Sequence, residues 1–296
     1  MTNPFLNKKF ISIPNFNMGN YKHGLYNRKA QPFLFHHNNK VFIYYEAYDN
    51  KKNWEIGVMA TEEFPYGKWL NYPKILCKNN KEGHPDRSAI ADPCVIYYDN
   101  KFHLWFDMWN KETTWTIGHA ISDNGIYWVK QQTNGKTDIL LSPSEDDWDN
   151  SFVHAPEVFL CNNELKFIYN AVPKGDPQKD YSAGLMKLSD PNNLNSSFIK
   201  LGRITNPNTF SLGRVSRLFA PFWYQDNLYA VLSVLKKGEI TNNPSYFYFV
   251  ESKNCGKTWQ EVCQVPNNLW LHSFLIHNNK LYGINHFDQK LYYLEE

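Results

Sequence analysis

Four carboxylates recur at matched positions of this chain. Glu46 and Asp107 close the segments VFIYYE (41–46) and FHLWFD (102–107), while Asp92 and Glu157 flank the prolines of ADP (91–93) and APE (155–157). Carboxyl groups in unlike surroundings can divide labour, one held ionised and another kept protonated by burial or by a like charge. The polar residues at the equivalent places are Gln31, His154 and His272 at segment starts, and Asn170, Ser233 and His286 at the ends of LKFIYN, LYAVLS and LYGINH. Intervening stretches add His84, Asp86, Arg87, Trp148, Arg214 and Arg217, and Trp109 offers a flat apolar face. Aromatic faces beside carboxylates and neutral hydrogen-bonding groups suit a polyhydroxylated ring, a pyranose or furanose.

The elements that position these residues are copies of one unit. Residue–proline pairs at Gln31-Pro32, Asp92-Pro93, Ala155-Pro156 and Ala220-Pro221 recur about sixty residues apart, which marks a repeat architecture. Each proline is expected at the first residue of a strand, where its missing N–H removes no ladder bond. A short apolar strand follows, then a polar turn (Asn38-Asn39, Asp99-Asn100, Asn162-Asn163, Asp226-Asn227) suited to a hairpin with positive φ, then the strand with the polar end. A third strand ends near Thr61, Ser122, Ser189 or Ser252, and SDNGIYW (122–128) and SKNCGKTW (252–259) read as structural turns leading to a fourth.

Trp 10, Tyr 19 and Phe 20 in 296 residues is a strand-former's composition. The expectation is all-β: a single five-bladed β-propeller domain over 1–296 with four-stranded blades. KKFISIP (8–14) supplies the strand missing from the last blade and closes the ring. Alternate connections then fall on opposite faces, and the long ones (71–91, 130–154, 199–219) share a face with the residues before the prolines and the polar strand ends. A binding pocket belongs on that loop-rich face, at the axis.

A formal net charge of +2 with both signs interspersed gives no basic stripe for nucleic acid. The N-terminus lacks the apolar run of a signal peptide, and no segment approaches the ~20 apolar residues of a membrane helix. The expected location is cytoplasmic, with no membrane partner. Five cysteines without CxxC spacing predict neither a disulfide framework nor a zinc site. Cys94 and Cys161 read as small buried apolar residues, and Cys255 and Cys263 could face each other across a hairpin, although the apparent compartment disfavours a bond between them. The run Glu145–Asp149 reads as a solvated acidic loop rather than a calcium loop.

ADPCVIYYDNKFHLWFD (91–107) resembles the Asp-Pro blade of the five-bladed glycoside hydrolases of families 43 and 32, and HAPEVFLCNNELKFIYN (154–170) is similar to their Ala-Pro-acid blade. The likeness in architecture extends over nearly the whole chain. It implies hydrolysis of a glycosidic bond in an oligosaccharide or other glycan, with Asp92, Glu157, Asp107 and Glu46 as candidate catalytic carboxylates. Candidate substrate-binding residues are Gln31, His154, Trp109, Asn170, Arg87, Arg217, His272 and His286. No metal ligands or cofactor are implied by the residues themselves, although family 43 enzymes can carry an axial divalent ion near a histidine at the position of His272. Two departures stand out: Gln31 replaces the expected first Asp, and His154 occupies the place of the acid, with Glu157 just past the proline. Gln31 opens the alternative of a glycan-binding or glycan-assembly propeller that has lost its base.

Overall fold

The computed structural model describes residues 3–19, 28–48, 54–145, 147–174, 181–206, 208–211, 213–236 and 244–295. Their regular structure is sheet, antiparallel but for one bridge, with one 3-10 turn, Pro266–Asn268. No helix among them is long and apolar enough to cross a membrane.

Apart from the short hairpin of Gln132–Thr133 with Lys136–Thr137, the strands fall into five four-strand groupings, here units I to V. Unit I contains Arg28–His37, Lys40–Tyr48, Trp54–Thr61 and Leu70–Leu76; unit II contains Ala89–Tyr98, Lys101–Trp109, Trp115–Ser122 and Val129–Lys130. Unit III is Phe152–Cys161, Glu164–Val172, Ser182–Leu188 and Phe198–Arg203; unit IV is Arg214–Tyr224, Asn227–Leu235, Tyr246–Ser252 and Gln260–Gln264. Unit V has Leu271–His277, Lys280–Asn285 and Leu291–Leu294, and its outermost strand is Phe10–Ser12, paired Phe10 to Leu294 and Ser12 to Tyr292. A single parallel bridge, Trp54 to Ala89, joins units I and II.

Aromatic and β-branched residues alternate across two buried faces of each second strand, so every unit must be covered on both sides. Five apolar clusters do this, each drawn from two neighbouring units: Phe42 and Leu104 between I and II, Trp105 and Phe167 between II and III, Ile168 and Leu232 between III and IV. Phe219 and Leu271 meet between IV and V, and Ile43 meets Ile284 between I and V. The innermost strands of all five units line one apolar cavity of about 390 Å³, through residues such as Leu34, Val95, Val158, Phe222 and Phe274.

Hairpin turns have positive φ at Asp99 and Asn100, Asn162 and Asn163, and Asn278 and Asn279, as polar turn chemistry requires. In unit IV the turn sits one residue earlier than expected, at Gln225-Asp226 between the paired Tyr224 and Asn227. The SDNG and SKNCG turns are structural: Ser122 Oγ accepts the Gly125 N–H at 2.9 Å and Ser252 Oγ the Gly256 N–H at 2.8 Å. Indole N–H groups of Trp128 and Trp259 bond back to the carbonyls of Gly125 and Gly256.

Three expectations are corrected. The prolines do not open strands; each lies within one, at a bulge where register shifts (Ala30/Phe33, Ala91/Cys94, His154/Glu157, Phe219/Phe222). A bulge leaves its residue outside the ladder, so the missing N–H costs nothing there either. Cys161 is not a free apolar residue: it is disulfide-bonded to Cys255, 94 residues away, while Cys263 is free. The acidic run is not wholly solvated, since Asp149 is fully buried, 2.7 Å from Lys200 and bonded by the Tyr169 hydroxyl at 3.0 Å. Burial opposes the Asp149 charge, but Lys200, Ser144 and Tyr169 outweigh it and hold its pKa below the usual carboxylate range.

Candidate active site

The bulges build the site. Gln31, Asp92, Ala155 and Ala220, the residues before the four prolines, have φ of 46°, 45°, 52° and 52°. For non-glycine residues this region costs about 1–3 kcal/mol and persists only where the surroundings fix it. Neighbouring units fix it through the polar strand ends. Asp107 of unit II accepts the Ala155 N–H of unit III at 2.9 and 3.1 Å, and Glu157 of unit III accepts the Ala220 N–H of unit IV. His286 of unit V stands 3.4 Å from the Gln31 N–H of unit I. Asn170 clasps Leu218 of unit IV from both sides, accepting its N–H and donating to its carbonyl, each at 3.1 Å. Ser233 turns back on its own unit, to the Arg217 carbonyl.

Asp92, Asp107 and His154 each bring one donor atom within 4.8 Å of the others. The Asp92 and Asp107 carboxyls lie against each other, close enough for a side-chain hydrogen bond. Burial, then the charge of Asp92 and that bond, drive the Asp107 pKa well up, against the Ala155 N–H and Arg217. Glu157 is also pushed well above the ordinary range, by burial first and by Asp92, with Ala220 N–H and Arg217 opposing. His154 is driven well below its ordinary value by burial and by Arg217, and is therefore a neutral imidazole. Arg217 has its own charge favoured: burial works against it, but Tyr181, Asp92 and Asp107 outweigh burial.

Three polar atoms here are buried with no protein partner among the described residues: Asp92 Oδ1, His154 Nε2 and Gln31 Oε1. Native proteins rarely leave such atoms unsatisfied unless a ligand or solvent completes them. Sequence reasoning missed Tyr181, whose ring lies 5.4 Å from that of His154 and 5.6 Å from the Arg217 guanidinium. A signal existed, because an aromatic residue also opens the third strand of units I, II and IV at Trp54, Trp115 and Tyr246.

The remaining candidates are distributed as follows. Glu46 is buried opposite Ala30, at the position in unit I that Asp107 occupies opposite Ala91 in unit II. His272 stacks on Phe219 at 5.2 Å and lies 5.8 Å from His286, and burial followed by the charges of His286 and Arg217 drives its pKa well down. Trp109 has one face covered by Trp115, 5.5 Å away and nearly parallel. Arg87 is ion-paired with Glu112, and Trp148 packs on Tyr169. Asp86 pairs with Lys130 beneath the segment that leads into the Asp92 strand.

The trio Asp92, Asp107 and His154 has donors close enough for a shared cation, and His272 is not part of it. Arg217 acts on all three with positive charge.

No protein-family model and no curated protein matches the sequence. Solved structures do match. A family 117 glycoside hydrolase produced by the marine bacterium Zobellia galactanivorans superposes with a TM-score of 0.66 at 13% identity, over 97% of this chain and 89% of that one. An α-L-arabinofuranosidase from Clostridium thermocellum gives 0.62 at 15% identity, over 90% and 83%. The native Bacillus subtilis arabinanase Arb43A gives 0.59 at 12%, over 92% and 95%. The chain has the propeller fold of these glycoside hydrolases.

Proposed function

We propose that this protein hydrolyses a glycosidic bond of an oligosaccharide or other glycan at the Asp92–Glu157–His154 cluster, with residues 1–296 acting as one five-bladed propeller closed by the N-terminal strand. The ring reading rests on the five four-strand groupings, the Phe10–Ser12 pairing and the apolar cluster shared by units I and V. The reaction needs two carboxyl groups on either side of the scissile bond, ~5 Å apart or more. Asp92 is one, and Glu157, buried and acted on by the charge of Asp92, is the second.

Glu157, with its raised pKa, keeps a proton near neutral pH and donates it to the leaving oxygen. Asp92 presents Oδ1 toward the sugar carbon, stabilises the developing positive charge and takes the proton of the water that adds there, so the bond to the leaving oxygen is replaced by one to water. Asp107 is a positioning residue: it holds Asp92 and pins the Ala155 bulge from which the His154 and Glu157 strand positions diverge. Neutral His154 offers Nε2, and Gln31 offers Oε1, to sugar hydroxyls. The three unpartnered atoms carry this reading.

One observation favours a second reading. Gln31 has no titratable group at the place where the resemblance expects a carboxylate, which suits a propeller that binds or helps assemble glycans without cutting them. The test is turnover on an oligosaccharide panel by wild type, Asp92→Asn and Glu157→Gln. Hydrolysis predicts product from wild type and its loss in both variants. Binding without product from any of them rejects hydrolysis in favour of the second reading.

A further inference from the structure

Outside the cluster, a cleft at the opposite end of the strands combines charge with a half-exposed aromatic face. The strand Phe152–Cys161 carries His154 near one end and Cys161 at the other, seven residues on, or roughly 23 Å at strand rise. At that far end a cleft of about 470 Å³ opens between units III and IV. Its wall includes the Cys161–Cys255 disulfide, which ties the end of one unit's first strand to the SKNCG turn of the next.

Trp223 forms one side and is 41% exposed, which is unusual for the largest side chain in a protein whose other aromatics are mostly packed. It is also held still: its indole N–H donates to the Leu160 carbonyl at 2.9 Å, so its orientation is set before anything binds. Three lysines, Lys166, Lys253 and Lys257, share the cleft with one carboxylate, Asp226. Lys166 stands 3.6 Å from Glu164 and Lys253 3.9 Å from Glu251, whereas Lys257 has no ion pair among the described residues. The Asn254 and Ser252 side chains are spent on the turn itself, leaving the lysines and the indole for an incoming group.

We infer that this cleft is a second glycan-binding site, separate from the Asp92 cluster and selective for acidic sugars. A pyranose ring lies on the Trp223 face while its carboxylate or sulfate is met by Lys253 and Lys257, with Lys166 at the floor. A fixed aromatic platform lowers the ordering cost of binding, and the cations supply selectivity over neutral chains. The site rests on its own residues and not on hydrolysis at the other face. It anchors an acidic polymer while leaving the loop-rich face free.

The test is affinity electrophoresis and calorimetry with a polyuronate, a sulfated galactan and a neutral arabinan, on wild type, Trp223→Ala, the double variant Lys253→Ala/Lys257→Ala, and Asp92→Asn. Wild type and Asp92→Asn are expected to bind an acidic polymer alike. Each cleft variant is expected to weaken binding at least about tenfold while keeping a wild-type thermal transition, and added salt should weaken it further, as screened charge contacts must. The uronate and sulfate arms decide which anion is preferred. Equal retention of neutral and acidic chains, or unaltered binding by both cleft variants, overturns the proposal. Loss of binding in Asp92→Asn alone assigns the retention to the other face and also overturns it.

Discussion

Asn170→Ala isolates the device on which the site's geometry depends. Asn170 and Leu218 are both fully buried, and the amide satisfies the Leu218 N–H and carbonyl at 3.1 Å each. Alanine leaves both backbone groups without partners, and an unsatisfied buried group costs about 1–3 kcal/mol. The sum is about 2–6 kcal/mol, with a water admitted to the vacated space moving it toward the lower end. For a domain of this size about 1 kcal/mol lowers Tm by roughly 2–4 °C, so the transition should fall by roughly 10 °C, and by at least about 4 °C. Asn170→Asp keeps the acceptor for the N–H but loses the donor to the carbonyl, so it should also destabilise, more at pH 8 than at pH 5 as the buried carboxyl ionises. The assay is differential scanning fluorimetry at one fixed scan rate for all three proteins. A shift under about 1 °C for Asn170→Ala would refute the claim that polar strand ends act as struts between neighbouring units.

Three further outcomes follow from the same geometry. Glu157 has a raised pKa, so its contribution to stability is full below the ordinary carboxyl value near ~4.3 and is lost as pH rises through the raised one; Glu157→Gln should therefore raise Tm at pH 8 more than at pH 5, and an equal change at both rejects a buried protonated carboxyl. Lys200→Met strands the buried Asp149 and should cost about 3–5 kcal/mol at pH 7 in denaturant titration. The lowered Asp149 pKa means that the wild type loses this advantage as pH falls below about 4, so the gap between the two proteins should narrow there; a constant gap contradicts the pairing. Gly184→Ala would set a Cβ 2.4–2.7 Å from the Tyr169 ring, and Gly57→Ala one 2.5–2.7 Å from Tyr45, so each should destabilise by about 1–3 kcal/mol unless the rings move, with wild-type unfolding midpoints counting against the packing described.

The strand repeat and the pairing of residues 8–14 with the last strand are legible because both rest on short-range signals: apolar alternation, Asn- and Asp-rich turns and recurring prolines. The meaning of the polar strand ends is not. Glu46, Asp107, Asn170, Ser233 and His286 read as a set of groups turned toward one pocket, yet Asp107, Asn170 and His286 spend their atoms on the backbone of the next unit. That use depends on a bulge in another strand, and no local pattern announces a bulge. The Cys161–Cys255 bond and the Lys200–Asp149 pair are hidden for the same reason, since each joins segments far apart in sequence. Asp92 and Glu157 stand out in the sequence by residue type beside a proline, whereas the charge that Arg217 exerts on Asp92, Asp107, Glu157 and His154 is set by the fold.

The central claim is that Glu157 is the proton donor to a glycosidic leaving group, and the leaving group's own acidity tests it. Turnover of an oligosaccharide and of the matching dinitrophenyl glycoside should be compared for wild type and Glu157→Gln, since a good leaving group departs without a donated proton. The account predicts a loss of about 10²–10⁴ on the oligosaccharide and a change of no more than about tenfold on the aryl glycoside. Equal turnover of the oligosaccharide by the two proteins would contradict it.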